Sequence, residues 1–166
     1  MNVRPDPAAP GDLRELAYGE HLVVWAMRAF VAGRIDCPVI VREFESACGA
    51  LAVEARTAFL VFAQQLVLRG RRRICVSVPG RLTLTRDEQQ IAALFADAQA
   101  GEGVRFEARL AYLLGRSAEP PFYAAACVVA QALAMSGRRL RSFGGGQAVA
   151  SDARAPQLAE AGRSVA

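Results

Sequence analysis

The sequence predicts a mainly α-helical fold of about six helices packed in one compact domain, with a short β-hairpin near residues 72–85. Apolar residues recur at steps of three and four along most of the chain between residues 12 and 136, which is the period of amphipathic helices. The period changes to two only within residues 74–84, as expected for strands. The length of 166 residues, 53% of them hydrophobic, is that of one domain that folds without disulfides or a structural metal.

The first helix is predicted to begin at Asp12, whose carboxylate can cap the first turn while Glu15 supplies the other half of a capping box. It is expected to run to about Ala32 and to end at Gly33. Apolar side chains follow at helical spacing on more than one side, at Leu13, Leu16, Leu22, Val23, Val24, Trp25, Met27, Phe30 and Val31. We therefore expect a central helix that packs against several neighbours.

Two further helices are predicted before residue 69. Pro38 suits the first turn of a helix, with Asp36 or Cys37 as its cap, and this helix is expected to end near Gly49. The next helix, Ala50–Leu68, is apolar on nearly all sides. Such a helix is predicted to lie in the interior of the domain.

The β-hairpin is predicted from the segment that follows the third helix. Apolar residues occupy alternate positions from 74 to 78 and again from 82 to 84. The two runs are separated by Pro79 and Gly80, a dipeptide that favours a turn.

Three more helices are predicted to complete the domain. Thr85 and Glu88 form a full capping box and open a helix that runs to about Ala100. A fifth helix is predicted at about Val104–Leu114, and a sixth from Pro120 to Ser136.

The chain is therefore divided into a flexible N-terminus (residues 1–11), a helical domain (12–136) and a disordered basic tail (137–166). The N-terminus lacks the pattern of a signal peptide. The apolar stretch Leu22–Gly33 is interrupted by Arg28 and is shorter than the roughly 20 residues of a membrane span. We expect no membrane association.

Several classes of functional site are excluded by residue content. The single histidine, His21, rules out sites that need two imidazoles, and no P-loop, calcium loop or GxSxG motif occurs. The four cysteines, at positions 37, 48, 75 and 127, form neither a CxxC pair nor a secreted disulfide framework. We therefore expect no catalytic residues, cofactor or metal, a protein that is not an enzyme, and a reducing cytoplasmic location.

The candidate binding site is a group of arginines around the predicted hairpin. The net charge is +4 and all basic residues are arginine, but the positive charge is concentrated in residues 69–84 and in the tail. The candidate patch for a phosphate or an acidic partner consists of Arg69, Arg71, Arg72, Arg73 and Arg81. The alternative interpretation is a solvated strand edge whose charges prevent edge-to-edge pairing.

The order of three helices and a hairpin over residues 12–85 resembles that of winged-helix DNA-binding domains. The third helix, however, offers one arginine, Arg56, and otherwise mainly phenylalanine, leucine and valine, so contact with phosphates would depend on the hairpin arginines. Residues 82–96, LTLTRDEQQIAALFA, also resemble the opening of the helix-turn-helix segment of bacterial regulators. The segment that follows, residues 102–109, carries two acidic and two basic residues and contains no basic recognition helix. A nucleic-acid-binding regulator is therefore the second hypothesis.

A thiol-based redox switch or enzyme is the third hypothesis. Cys37 precedes the predicted helix start at Pro38, where the helix dipole lowers the pKa of a thiol. His21 is the only imidazole that could act as its base.

The leading hypothesis is a non-catalytic regulatory or adaptor domain that binds another protein. It follows from the missing catalytic and cofactor motifs. The positive mean hydropathy of +0.19 indicates that one helix face is left for self-association, and we expect a homodimer.

Overall fold

A computed structural model of the chain describes residues 9–117 and 119–143, and the predicted mainly α-helical class is confirmed. The six α-helices are α1 (Tyr18–Val31), α2 (Pro38–Cys48), α3 (Ala52–Arg69), α4 (Arg86–Ala100), α5 (Gly103–Leu114) and α6 (Pro120–Met135). Two short 3-10 turns accompany them, at Leu13–Glu15 before α1 and at Gly49–Leu51 between α2 and α3.

Helices α2 and α3 are joined by the second 3-10 turn with no non-helical residue between them. Apart from the isolated 3-10 turn at Leu13–Glu15, the helical residues that the structure describes form five continuous segments, and the predicted count of six separate helices is not confirmed. The chain nevertheless folds back at the turn, because the rings of Phe44 and Phe59 lie 6.0 Å apart. Gly49 has a φ of +56°, a conformation that an L side chain would disfavour.

The segment Pro38–Arg69 is long and apolar enough, by length and composition, to cross a membrane. The core helix of a soluble protein satisfies the same criterion, and 39% of the apolar window is buried within this domain. The contact between Phe44 and Phe59 further shows that the segment is a folded pair of helices, which is a different geometry from one straight span.

A row of phenylalanine rings joins four helices at the centre of the domain. Phe59 of α3 lies 6.0 Å from both Phe44 of α2 and Phe95 of α4, measured between ring centroids. Phe62 of α3 lies 4.9 Å from Phe95 and 5.6 Å from Phe122 of α6. Helix α6 packs against α3 and α4, while α4 also contacts α1 and α5.

The first helix begins later than predicted, at Tyr18. Asp12 caps the first 3-10 turn instead, because its carboxylate accepts a hydrogen bond from the Arg14 backbone N–H at 2.8 Å. The backbone before this turn pairs with residues 82–84, where the Leu13 N–H donates to the Leu82 carbonyl at 2.8 Å. That pairing holds residues 11 and 12 in an extended path, so the chain enters only a short 3-10 turn at Leu13 and α1 begins later.

The predicted β-hairpin near residues 72–85 is not formed, and the described part of the chain contains no strand beyond an isolated bridge between Asp12 and Thr83. A turn is present at residues 79–80. The two limbs do not pair because side chains occupy their backbone groups. The Cys75 N–H donates to Asp87 at 2.7 Å and the Ser77 N–H to Glu88 at 3.0 Å.

The start of α4 agrees with the sequence prediction. Thr85 Oγ1 accepts a hydrogen bond from the Glu88 N–H at 3.1 Å, and Glu88 Oε2 accepts one from the Thr85 N–H at 2.8 Å. This is the predicted capping box. The bounds of α5 and α6 also lie within one residue of those predicted.

The chain continues past α6 along the surface of the domain. Residues 138–143 form no helix or strand but contact α1, α4 and α5, and Phe143 is buried at its end. Residues 138–143 of the predicted disordered tail therefore follow a defined path that is held by hydrogen bonds to the helices. Residues 144–166 of that tail, and residues 1–8 of the predicted flexible N-terminus, lie outside the described residues.

Candidate functional site

The five arginines of the candidate patch have different structural environments. Arg69, at the end of α3, donates to Gln65 at 2.7 Å and to Glu119 at 2.5 Å. Glu119 also binds Arg116 at 2.8 Å. The charge of Arg69 is therefore partly neutralised at the surface, where ion pairs contribute little to stability.

Arg72 holds the segment after α3 against α4 and α5. Its guanidinium is bonded to the Asp87 carboxylate, which is 5% exposed, and its Nε donates to the Tyr112 carbonyl at 2.8 Å. The guanidinium carbon also lies 4.5 Å from the centroid of the Tyr112 ring, a cation–π contact. Because these groups occupy its donors, Arg72 is a structural residue.

Arg71, Arg73 and Arg81 are exposed, and their side chains form no hydrogen bond or ion pair with any other residue that the structure describes. The backbone of Arg71 is nevertheless fixed, since its N–H donates to the Leu114 carbonyl at 2.7 Å. The structure thus separates the patch into two arginines engaged within the domain and three that present their charge to solvent.

The arrangement of residues 75–85 depends on a buried ion pair between α1 and α4. The Arg28 guanidinium binds the Glu88 carboxylate at 2.6 and 2.9 Å, with both side chains at most 1% exposed. The same guanidinium donates to the carbonyl oxygens of Arg81 and Thr83. This pair therefore positions the backbone of Arg81. Sequence reasoning missed its role, although one arginine within an apolar helix was the available signal.

A second feature that the sequence did not predict is an exposed apolar surface on α3. It consists of Val53, Val61, Val67 and Leu68, and is called the α3 outer face below. Val53 and Leu68 are 73% and 76% exposed. The expectation that this helix is buried on nearly all sides is wrong for this face, because α2, α6 and the core cover only the opposite side.

The α3 outer face is continuous with the arginines. Leu68 directly precedes Arg69, and Arg71 follows Gly70 after the helix ends. At the opposite end of the helix, Glu54 is exposed and forms no ion pair with any described residue. The face thus carries four exposed apolar side chains, with Thr57 and Gln64 exposed between them, and is acidic at one end and basic at the other.

The thiol hypothesis receives no geometric support from the described residues. The Cys37 side chain makes no capping hydrogen bond at the start of α2, and His21 contacts the ring of Trp25 at 6.3 Å. Cys48 is buried, and burial raises the pKa of its thiol to about 11. Cys75 is the exposed cysteine.

A cleft of about 600 Å³ lies between α5 and the start of α6. Its wall is mainly apolar, with Phe106, Leu110 and Tyr123 among its residues, and Glu107 and Glu119 at polar positions. Glu119 is engaged by two arginines. Within residues 9–117 and 119–143, no group of three histidine, cysteine, aspartate or glutamate side chains could hold a metal ion.

Comparisons with known proteins find no matching family model, no matching curated protein and no matching solved structure.

Proposed function

We propose that this protein is a non-catalytic regulatory or adaptor domain that acts by binding another protein, and that one of its partners is a second copy of itself. The observation that carries the proposal is the α3 outer face. A group of exposed apolar side chains on one helix, bordered by polar residues, is typical of protein interaction sites. The buried carboxylates of Glu88 and Asp97 are each paired with an arginine within the domain, which is typical of a structural role.

The hydrophobic free energy gained by burying this face is of the same magnitude as the free-energy cost of forming a dimer. Full burial of one valine or leucine side chain contributes roughly 1.5–3 kcal/mol. Association costs roughly 4–15 kcal/mol in lost freedom. Val53, Val61, Val67 and Leu68 are each 45–76% exposed, so two copies together would bury eight such side chains.

The charges at the ends of the α3 outer face favour a second copy in antiparallel orientation. A two-fold axis near the middle of α3 would bring Glu54 of each copy toward Arg71 of the other. Both residues are exposed and have no ion-pair partner among the described residues of their own chain. The surface is therefore complementary to itself in both hydrophobicity and charge.

The test is the mass of the full chain in solution, measured by size-exclusion chromatography with light scattering across the micromolar range. We expect a dimer for the wild type and a monomer for Leu68→Glu and Val61→Glu. Val104→Glu is the matched control, because Val104 is 83% exposed but lies on α5. A wild-type monomer at all concentrations, or dissociation by the control substitution, would contradict self-association.

Charge reversal provides an independent test of the orientation. Glu54→Arg and Arg71→Glu should each weaken the dimer, and the double variant should recover it because the opposite charges are restored across the interface. If the double variant forms a dimer as weak as those of the two single variants, the antiparallel arrangement is excluded.

Nucleic-acid binding is the second candidate function, favoured by the three exposed arginines without side-chain partners. The test is fluorescence anisotropy of labelled duplex DNA and single-stranded RNA at two salt concentrations. Replacing Arg71, Arg73 and Arg81 together by alanine should remove binding and flatten its dependence on salt. An unchanged salt slope would argue against this function. Arg72 is left intact because its loss would disturb the fold.

A further inference from the structure

Residues 138–143, Arg-Arg-Leu-Arg-Ser-Phe, follow α6 and lie across α1, α4 and α5; we call them the C-terminal strap. A turn at Gly137, with φ of +73°, leads the chain into this path. The strap has no helix or strand of its own. It is held by side chains of the helices, and these contacts resemble the way in which a protein binds an extended peptide.

The backbone of the C-terminal strap is bound by one amide side chain on α4. Gln99 Oε1 accepts a hydrogen bond from the Leu140 N–H at 2.8 Å, and Gln99 Nε2 donates to the Arg138 carbonyl at 3.0 Å. The amide thus satisfies a donor and an acceptor of the same extended segment. Because these hydrogen bonds involve only backbone groups of the strap, they do not depend on the side chains of the bound segment.

Arg141 is recognised by a carboxylate that is completely buried. Glu20 of α1 is 0% exposed and accepts hydrogen bonds from the Arg141 N–H at 2.5 Å, Nη2 at 2.9 Å and Nε at 3.2 Å. Glu20 also accepts from the Ala17 N–H at the start of α1. The arginine itself remains 57% exposed. We call the surface of α1, α4 and α5 beneath the strap the groove. The groove supplies the buried carboxylate of Glu20, and the strap supplies the partly exposed guanidinium of Arg141.

Two apolar side chains of the C-terminal strap occupy fitted sites. Leu140 lies where a side chain at Gly19 would be, since a Cβ there would come within 2.7 Å of Leu140 Cδ2. Phe143 is 9% exposed and closes a small apolar cluster. The other buried members of that cluster are Leu13, Val24, Leu84, Ala92 and Ala93.

The groove makes two further contacts at the ends of the strap. Arg109 of α5 donates to the Phe143 carbonyl at 2.9 Å. The Arg138 guanidinium carbon lies 4.7 Å from the centroid of the Tyr18 ring. Main-chain groups, a leucine, two arginines and a phenylalanine are therefore all recognised by side chains of the helical domain.

We propose that this groove is a binding site for an extended peptide of the pattern Leu-Arg-polar-Phe from a partner protein, and that the chain's own C-terminal strap occupies it in competition with that peptide. The charge of Glu20 sets the preference for arginine, and the apolar cluster sets the preference for phenylalanine. The site uses no residue of α3, so this proposal and self-association through the α3 outer face succeed or fail separately.

The experiment uses the full chain with the C-terminal strap weakened by Arg141→Ala and Phe143→Ala. The probe is a fluorescently labelled peptide with the sequence of residues 138–143 and an amidated end, followed by fluorescence anisotropy. We expect the double variant to bind the peptide at least tenfold more tightly than the wild type, whose groove is already occupied. Peptides with alanine in place of the fourth or the sixth residue should bind at least tenfold more weakly.

Two measurements make the result decisive. Glu20→Gln, added to the weakened protein, should lower peptide affinity at least tenfold, whereas the matched change at the exposed Glu45 of α2, Glu45→Gln, should not alter it. If circular dichroism shows that the double variant has lost its helical structure, the single variant Leu140→Ala is used instead, because it weakens the contact between the strap and α1 with a smaller change to the protein. Equal binding by wild type and variant, or affinity that ignores both peptide substitutions, would overturn the proposal. A dimer that persists in Leu68→Glu would indicate that the strap is exchanged between two copies, and this result would also overturn the proposal.

Discussion

Arg28 and Glu88, 60 positions apart in the sequence, form a two-point ion pair that is sealed inside the domain, with Nε to Oε1 and Nη2 to Oε2 distances of 2.6 and 2.9 Å. Each partner also serves the loop between α3 and α4. Arg28 binds two of its carbonyl oxygens, and Glu88 accepts from the N–H groups of Ser77 and Thr85. One buried interaction thus joins α1, α4 and the loop that carries the exposed arginines.

Removing one member of this pair should leave an unpaired buried charge. We expect Arg28→Met and Glu88→Gln each to lower the free energy of unfolding by about 3–5 kcal/mol, measured by urea denaturation. The double variant should lose less than the sum of the two, because no charge remains uncompensated. Arg56→Met is the control, since its ion pair with Asp36 is at the surface and should matter by at most about 1 kcal/mol. An equal decrease in the free energy of unfolding for Arg28→Met and Arg56→Met would contradict the structural role of the Arg28–Glu88 ion pair.

The division of the arginine patch predicts different effects on stability. Arg72→Ala removes a hydrogen bond from the buried Asp87 carboxylate and the contact with Tyr112, so the free energy of unfolding should fall by about 1–3 kcal/mol. Arg71→Ala and Arg73→Ala should change it by less than about 0.5 kcal/mol, because both side chains are exposed. Urea denaturation of the three single variants tests this order, and a stable Arg72→Ala protein would refute it.

Tyr18 should make the domain sensitive to alkaline pH. Burial, followed by the hydrogen bond to the Glu43 carboxylate, raises the pKa of its phenol to about 12. The unfolded chain ionises near pH 10. The folded state therefore binds the proton more tightly, and its stability is fully present below pH 10 and declines as the pH rises from about 10 to about 12.

The measurement is the tyrosinate absorbance of the wild type minus that of Tyr18→Phe, followed against pH. The difference should have its midpoint near pH 12, and Glu43→Gln should move that midpoint downward. The subtraction is needed because a hydrogen bond with Cys127 also raises the pKa of Tyr123. A midpoint near pH 10 would show that Tyr18 is not shielded.

The four cysteines should differ in their rate of alkylation at neutral pH. Cys75 is exposed and should react first, while Cys37 and Cys127 are half-buried and should follow. Cys48 is 2% exposed and its raised pKa leaves little thiolate, so it should react only when the domain unfolds. Peptide mass spectrometry after timed labelling gives the order. Labelling of Cys37 ahead of Cys75 would instead favour the thiol-switch hypothesis.

The features that depend on neighbouring residues could be predicted from the sequence. The capping box of Thr85 and Glu88, the proline start of α2, and the positions of α5 and α6 follow from short-range geometry and were predicted correctly. The mainly α-helical class follows in the same way from the spacing of apolar residues.

The features that depend on residues far apart in the chain could be seen only in the folded domain. Alternating apolar residues predicted a hairpin, but its backbone groups are taken by Arg28, Asp87 and Glu88, which no local pattern places beside it. The composition of α3 predicted burial, yet its neighbours cover one side and leave Val53 and Leu68 in solvent. Five arginines were alike in sequence, and the carboxylates that reach Arg69 and Arg72 distinguish them from the other three. In each case, the outcome depended on which distant side chain provided the hydrogen bond or the packing surface, and that is set by the arrangement of the helices.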